Sequence, residues 1–450
     1  MLNANPGRVT SGDNTSAACR IISCMAAIPA PSLILSFEEA RHLVEHHASA
    51  LHPRGKELVD LLEGTSAGQV LAEPVLADRH FPPFPRAMRD GYAVRAADLS
   101  QLPATLDVIG EIRAGASNKD IPVLQPGQAA TIMTGATAPP GADAVVMVEH
   151  TTHQGKRVQI TKGVAAGDNI APVGSEAKRG ERLLSPGLRL DYPAIAVAAA
   201  TGRSRLLVYR KPQVGVLATG DEIVDIDVRP GTNQIRNSNS YSLAAQVQAA
   251  GGEPILLPIA PDEPSRLREL IADGLEAELL LLAGGVSMGK YDLVEQVLAE
   301  FQAEFFFTGV QIQPGKPVVF GRVPCGTPAR GQPASSASYT YFFGLPGNPV
   351  STMVTFELFA RPMLEALAGL TPRKLVFLNA RLKSEIKTKA GLKRFLPAVL
   401  SGEFEHAEIE LARWQGSGDV AAMTRANCYI VISLDRDRIA AGEWVPVLMR

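Results

Sequence analysis

The run Val214-Gly215-Val216-Leu217-Ala218 leads directly into Thr219-Gly220-Asp221-Glu222, an apolar strand ending in a glycine turn that carries two carboxylates. The same plan recurs at Leu279 to Leu282, followed by Ala283-Gly284-Gly285-Val286-Ser287-Met288-Gly289, with Asp292 just beyond. Glycines at the carboxyl end of a strand let backbone N–H groups approach a phosphate, and in an open parallel sheet that edge is where ligands bind. Carboxylates in the same turns would repel a phosphate unless a cation lies between them. The pair of turns therefore points to a phosphorylated ligand together with a hard metal ion.

Around these turns, residues 212–366 alternate strand and helix. The pattern predicts strands at Val214–Ala218, Pro254–Leu257, Leu279–Leu282, Pro317–Phe320 and Tyr341–Phe343. Helices are expected over Ser240–Ala250, Pro264–Gly274, Leu293–Phe301 and Val350–Leu367. Such alternation argues for a parallel sheet with helices on both faces, a three-layer α/β/α unit. The Gly/Pro/Ser-rich stretch Pro324 to Ser338 reads as a mobile hairpin loop within it.

The flanking regions differ. Ser36 and Glu39 form a capping box that opens a helix. The His42-Leu43-Val44-Glu45-His46 run inside that helix matches a metalloprotease spacing, but a solvated helix face is the expected reading because no third ligand accompanies it. From Gln69 to about Val173, short β-rich runs separated by Pro/Gly turns predict a small β domain. Leu183 to Val208, with its Ala-rich centre, reads as helical. Beyond Thr371-Pro372 the chain is β-rich again.

Bulk properties exclude several classes. The 450 residues suggest about three domains on length alone. Charged residues make up 20% and the net charge is −2, so no electrostatic footprint for nucleic acid or an anionic membrane surface is present. No apolar run approaches the ~18 uncharged residues of a membrane helix. Cys19, Cys24, Cys325 and Cys428 form neither a zinc spacing nor a disulfide framework, which fits a reducing compartment and a cytoplasmic location. Residues 1–33 are expected to form a disordered tail, with Met25 a candidate translation start.

Three further segments carry chemistry. Asp90-Gly91 follows the proline-stiffened Pro82 to Pro85, and Met133-Thr134-Gly135 presents a hydroxyl at a strand end; a plain turn accounts for either one alone. In Pro346-Gly347-Asn348-Pro349-Val350-Ser351, Asn348 suits a helix N-cap and Pro349 the first helical position, so free N–H groups are expected to face outward toward an anion. Gln313-Pro314-Gly315-Lys316-Pro317 supplies a lysine that can meet an oxyanion.

Together these segments resemble the molybdopterin molybdenumtransferase family, which includes the E domain of gephyrin. The resemblance rests on Asp90-Gly91-Tyr92-Ala93, Met133-Thr134-Gly135-Ala136, Gly141 to Val146, Thr219 to Glu222, Gly284 to Ser287, Pro314 to Pro317 and Gly344 to Pro349, in that order. It covers the chain from about Leu35 to its C-terminus. What it implies is a multidomain α/β plus β protein: a tail (1–33), a helical linker region (34–80 and 178–208) and a β-rich domain (81–177). A molybdopterin-binding α/β domain (209–368) and a C-terminal β domain (371–450) complete it. It also implies an elongated homodimer whose cleft lies between the α/β domain of one subunit and the β domain of the other.

The activity implied is insertion of molybdenum from molybdate into adenylylated molybdopterin, with release of AMP and assistance from Mg²⁺. Catalytic positions would be Asp90, Thr134, Glu176, Asp221, Glu222, Asp262 and Asp292, with Asp221, Glu222 and Asp292 as metal ligands. Thr219, Gly220, Gly284, Gly285, Ser287, Lys316, Pro346, Gly347, Asn348, Pro349 and Ser351 would hold the pterin phosphate and molybdate. Partners implied are the adenylyltransferase that supplies the substrate and the enzymes that receive the cofactor, with no nucleic acid and no membrane.

The sequence departs from the family pattern in places. Glu176 stands where an aspartate is common. Asn169 to Pro172 lacks arginines that some members carry, and Gly309 and Gln313 replace lysines. These changes remove positive charge from the oxyanion side. Two other readings remain open from the residues: a pterin-binding scaffold without turnover, and a nucleotide-processing enzyme sharing only the α/β domain. The crowded carboxylates argue against the first, and the Asp90 and Thr134 motifs against the second.

Overall fold

The computed structural model describes residues 33–61, 67–285, 293–325, 338–371 and 374–450. Its central unit is a six-stranded sheet in the order Glu253–Leu256, Gln213–Ala218, Leu279–Ala283, Ser338–Leu345, Val319–Cys325, Glu304–Phe307. The strand Leu279–Ala283 is buried throughout, as a strand covered on both faces must be. Its side chains alternate between layers. Leu279, Leu281 and Ala283 join Leu243, Val247, Val350 and Met363 on one face. Leu280 and Leu282 join Leu267, Leu270, Val294 and Val297 on the other.

The first four strands are parallel, as the alternation predicts. Val319–Cys325 is reversed: it runs antiparallel to both its neighbours, which leaves Glu304–Phe307 pointing the same way as the first four. The expected all-parallel sheet is therefore mixed. The predicted hairpin loop between those strands lies almost wholly outside the described residues.

The helix expected at Val350–Leu367 is divided. An α-helix over Pro349–Thr355 passes through a π-helical turn, Phe356–Ala360, into Arg361–Leu367. Pro362 has no N–H for the carbonyl of Leu358, four residues earlier. That carbonyl instead accepts from Arg41 Nη1 at 2.5 Å. Arg41 belongs to the helix Phe37–Ser49, whose Ser36/Glu39 capping box forms as expected. The same helix buries Phe37, Ala40 and Val44 in the core of the central unit, and His42 and His46 stay exposed.

Leu183 to Val208 is helical only over Tyr192–Ala200. Arg182–Leu184 pairs with Val75–Leu76, and Arg205–Tyr209 pairs with Lys56–Asp60. The helical reading overreached because the alanine run hides the short β-branched and leucine-rich pairs on either side.

Residues 91–160 form a second six-stranded sheet in the order Ala144–Met147, Gly91–Val94, Gln128–Ile132, Ala104–Ile112, Arg157–Ile160, Thr151–Gln154. Gly91 allows its closest approach: a Cβ there would lie 1.9 Å from the Val146 carbonyl oxygen. At the C-terminus, Lys393–Ser401, Glu408–Leu411, Phe377–Leu382, Trp444–Met449 and Cys428–Ile432 pair in sequence. Cys428–Ile432 then pairs back to Lys393–Ser401, which closes a small barrel. Ile312–Gln313 pairs with Lys393 and Arg394, tying the barrel to the central unit beside the Pro314–Pro317 loop.

Candidate functional site

Three neighbouring parallel strands end together. Ala218 pairs with Ala283, and Ala283 with Leu345, so the turns after all three leave the same edge of the sheet. Thr219 N–H donates to the Ala283 carbonyl and Gly284 N–H to the Leu345 carbonyl, both at 3.1 Å. These bonds lock the turns side by side. Gly284 has φ +97°, and a Cβ there would sit 2.7 Å from the Thr219 carbonyl oxygen, so no larger residue fits between the strands.

The turns border a cavity of about 880 Å³. Its wall includes Thr219, Gly220, Glu222, Asp262, Gly284, Gly285, Lys316 and Pro346 to Pro349. Eleven of the expected site residues thus meet in one space. Glu222 and Asp262 bring negative charge to the wall, Lys316 and Arg236 positive charge. Asp221 lies off the wall. Its carboxylate accepts from Asp262 N–H at 3.0 Å and so holds the second acidic turn against the first. Ser287 and Asp292 fall outside the described residues.

A second cavity of about 540 Å³ shares Lys316, Pro317, Pro346 and Asn348 with the first and adds Ser351, Gln313 and, from the barrel, Trp414, Gly416 and Ser417. Asn348 is the helix N-cap by position and Pro349 follows, as expected, but the Asn348 side chain makes no capping bond. The helix end is also less open than expected. Val350 N–H donates to the Ser417 carbonyl at 3.0 Å. Gly309, one of the departures from the family pattern, faces Ile34: a Cβ there would lie 3.2 Å from Ile34 Cγ1.

The remaining expected residues sit in the β sheet region. Asp90 Oδ1 accepts from Thr134 N–H at 2.6 Å, which brings these two motifs together. Chiefly through that bond, the Asp90 carboxyl is held below the usual carboxylate range. Glu176 pairs with Arg86 at 2.6 Å, on the strand Arg86–Ala87 just upstream of Asp90. No residue between 81 and 177 lines either of the two cavities described above. The single chain therefore holds two separate clusters.

Among the described residues, no three His, Cys, Asp or Glu side chains group to hold a metal ion. Mg²⁺ needs fewer, since it commonly takes one or two carboxylates and completes its shell with substrate phosphates and water. Glu222 and Asp262 on the cavity wall meet that requirement.

Sequence reasoning missed one wall of the site. Arg236, Asn237, Ser238 and Asn239 also line the larger cavity. Asn237 Oδ1 accepts from Ser240 N–H at 3.1 Å, in the first turn of the helix Asn239–Ala250. The Asn-Ser-Asn-Ser run is a helix-start signature that could have drawn notice.

Comparison with known proteins gives this geometry a context. Three family models match in order: MoeA N-terminal region (domain I and II) over residues 35–202, probable molybdopterin binding domain over 215–366, and MoeA C-terminal region (domain IV) over 379–449. A molybdopterin molybdenumtransferase of Nostoc sp. is 35% identical over 401 residues, 87% of this chain and 88% of that protein. The chain belongs to the molybdopterin molybdenumtransferase family.

Another member, from Haemophilus influenzae, is 31% identical over 88% of this chain and 94% of its own length. The crystal structure of a molybdopterin biosynthesis MoeA protein from Pyrococcus horikoshii OT3 superposes with a TM-score of 0.73 at 28% identity. It covers 93% of this chain and 100% of its own. Within the family frame, the glycine turns and the Pro346–Pro349 loop all fall inside the segment matched as the molybdopterin-binding domain.

Proposed function

We propose that this chain inserts molybdenum from molybdate into adenylylated molybdopterin, releasing AMP. The observation that carries the reading is the convergence of three strand-end loops on one cavity with both acidic and basic side chains on its wall. With the Gly284 N–H taken by the Leu345 carbonyl, the Gly285 N–H, together with Ser287, is the proposed holder of the terminal phosphate of the pterin. Glu222 and Asp262, on the cavity wall, would face the pyrophosphate and hold Mg²⁺, with Asp221 bracing Asp262 through its N–H; Asp292, a ligand expected from the sequence, lies outside the described residues. When bound, that ion neutralises charge on the pyrophosphate as AMP leaves. Lys316, Asn348 and Ser351 draw molybdate into the adjoining space.

The second cluster completes the site in this reading. Asp90, Thr134 and Glu176 line no described cavity with the α/β turns, so we place them over the cavity of the other copy in a homodimer. The domain limits expected from the sequence, 81–177 for the β domain and 209–368 for the α/β domain, then mark the two sides of the cleft. A scaffold without turnover would have no use for carboxylates facing a phosphate-binding turn. A cytoplasmic location is the accompanying proposal. Its support is that Cys325 and Cys428 are both free, and that no helix among the described residues is long and apolar enough to cross a membrane.

The test is AMP release by the purified chain given adenylylated molybdopterin, molybdate and Mg²⁺. Release that stays at the uncatalysed rate with all three present sinks the enzyme reading. Omitting Mg²⁺ should slow release strongly, and an unchanged rate would remove the metal from the proposal.

A further inference from the structure

Asn239 is a wall residue to which the reading above gives no role. It opens the helix Asn239–Ala250 and is 5% exposed. Its Nδ2 donates to the Gly347 carbonyl at 2.7 Å, in the loop that also carries Asn348. A carbonyl accepts and cannot donate, so the amide NH₂ must face it, and this bond fixes which end of the amide is which. Among the described residues, Asn239 Oδ1 is then left buried with no hydrogen-bond partner. The hydroxyl of Thr219, 3% exposed and also on the cavity wall, is left in the same condition. Gln246 Oε1 is likewise unpartnered, but Gln246 does not line the cavity.

A buried acceptor without a partner is destabilising, and native folds keep few of them. Asn239 and Thr219 line the same cavity, so a ligand seated there can complete them. An amide oxygen accepts and cannot donate, so it repels the oxygens of ionised phosphate and molybdate and calls for a donor hydrogen. We propose that Asn239 Oδ1 accepts a hydrogen bond from the amino-pyrimidine edge of the bound ligand, which makes Asn239 a specificity-determining residue for the heterocycle. Thr219 Oγ1 is the second polar partner in the same cavity. This rests on the reading of adenylylated molybdopterin as substrate, which carries two such edges, one on the pterin and one on the adenine.

The experiment is equilibrium binding to the full chain with paired probes. One pair is pterin and pteridin-4-one, which lacks the amino group. The other is AMP and purine riboside 5′-monophosphate, which lacks it on the purine side. Wild type should bind the amino member of one pair about tenfold more tightly and show no preference within the other, which identifies the ring at Asn239. Asn239→Leu should abolish that preference. Asn239→Asp keeps an acceptor but loses the donor to Gly347, and should retain the preference, which a purely structural anchor would not.

Equal binding within both pairs by wild type overturns the inference, as does a preference that survives in Asn239→Leu or disappears in Asn239→Asp. If Asn239→Leu fails to fold, the Asp variant decides alone. The preference can hold while AMP release is absent, in which case the role of Asn239 stands and the proposed reaction falls. The reverse pattern sinks the role of Asn239 and leaves the reaction in place.

Discussion

The α/β unit and the β domain both carry motif-like loops, but only one of them builds a cavity from its expected site residues. In the α/β unit, adjacent parallel strands in register deliver three loops to one edge, and the ladder itself sets their spacing. In the β domain, Asp90 and Thr134 meet through a single side-chain bond, Glu176 pairs with Arg86, and none of the three lines either cavity of the α/β edge. A parallel sheet can assemble a binding edge from one chain. A mixed β domain carrying a few polar groups on exposed turns needs something to face. That contrast is what a cleft shared between two copies would produce.

The largest effect should come from the assembled side. Gly284→Leu puts a side chain at φ +97°, where its Cβ would lie 2.7 Å from the Thr219 carbonyl, so the turn must shift. A displacement of that order is expected to cost roughly 100-fold or more in AMP release. Near-normal kinetics would show that the glycine turn does not seat the substrate. Asp90→Ala is expected to lower kcat by roughly 100-fold with KM and melting temperature little changed. Parallel losses of activity and stability would reduce Asp90 to a turn residue.

Mixing the two variants tests the comparison itself. If the cleft is shared, a heterodimer has one doubly damaged site and one intact site. Random reassortment of equal amounts should then restore about a quarter of wild-type activity. No recovery beyond the sum of the parents would place each site within one chain.

The legible parts of this molecule are those encoded by short-range pattern. The two glycine turns, the helix Pro264–Gly274 and the Ser36/Glu39 cap each follow from residues close in sequence. What escaped depends on partners far apart. The π turn needs Pro362 to free the Leu358 carbonyl and Arg41, more than 300 residues away, to accept the opportunity. The partly closed helix end at Asn348 needs Ser417 from the barrel. Asn239 reads as a polar residue at a helix start until Gly347 is seen to hold its amide.

Arg86→Ala probes the weaker cluster at lower amplitude. The Arg86–Glu176 pair is exposed on both sides, so its loss should cost no more than about 0.5 kcal/mol of stability. Activity should fall about threefold at low salt if Glu176 needs that partner to face the cleft, and the deficit should fade near 0.5 M salt as screening weakens the pair in wild type. A deficit that ignores salt would point to displaced backbone at Arg86–Ala87 instead.

The smallest expected effect separates Asp90 as a charge from Asp90 as a turn former. Its carboxyl is held below the usual range, first by the Thr134 N–H. A depressed folded pKa contributes stability above the unfolded value near 3.9, and that contribution is lost as pH falls through the folded value. The melting-temperature difference between wild type and Asp90→Asn should therefore be small and constant from pH 5 to 8, shrinking only in more acidic solution. A difference that changes between pH 6 and 7 would mean that a neighbour titrating there, rather than the Thr134 bond, governs Asp90. Turnover should show the matching pattern, with no acid limb from Asp90 above about pH 5, because the carboxylate stays ionised throughout that range.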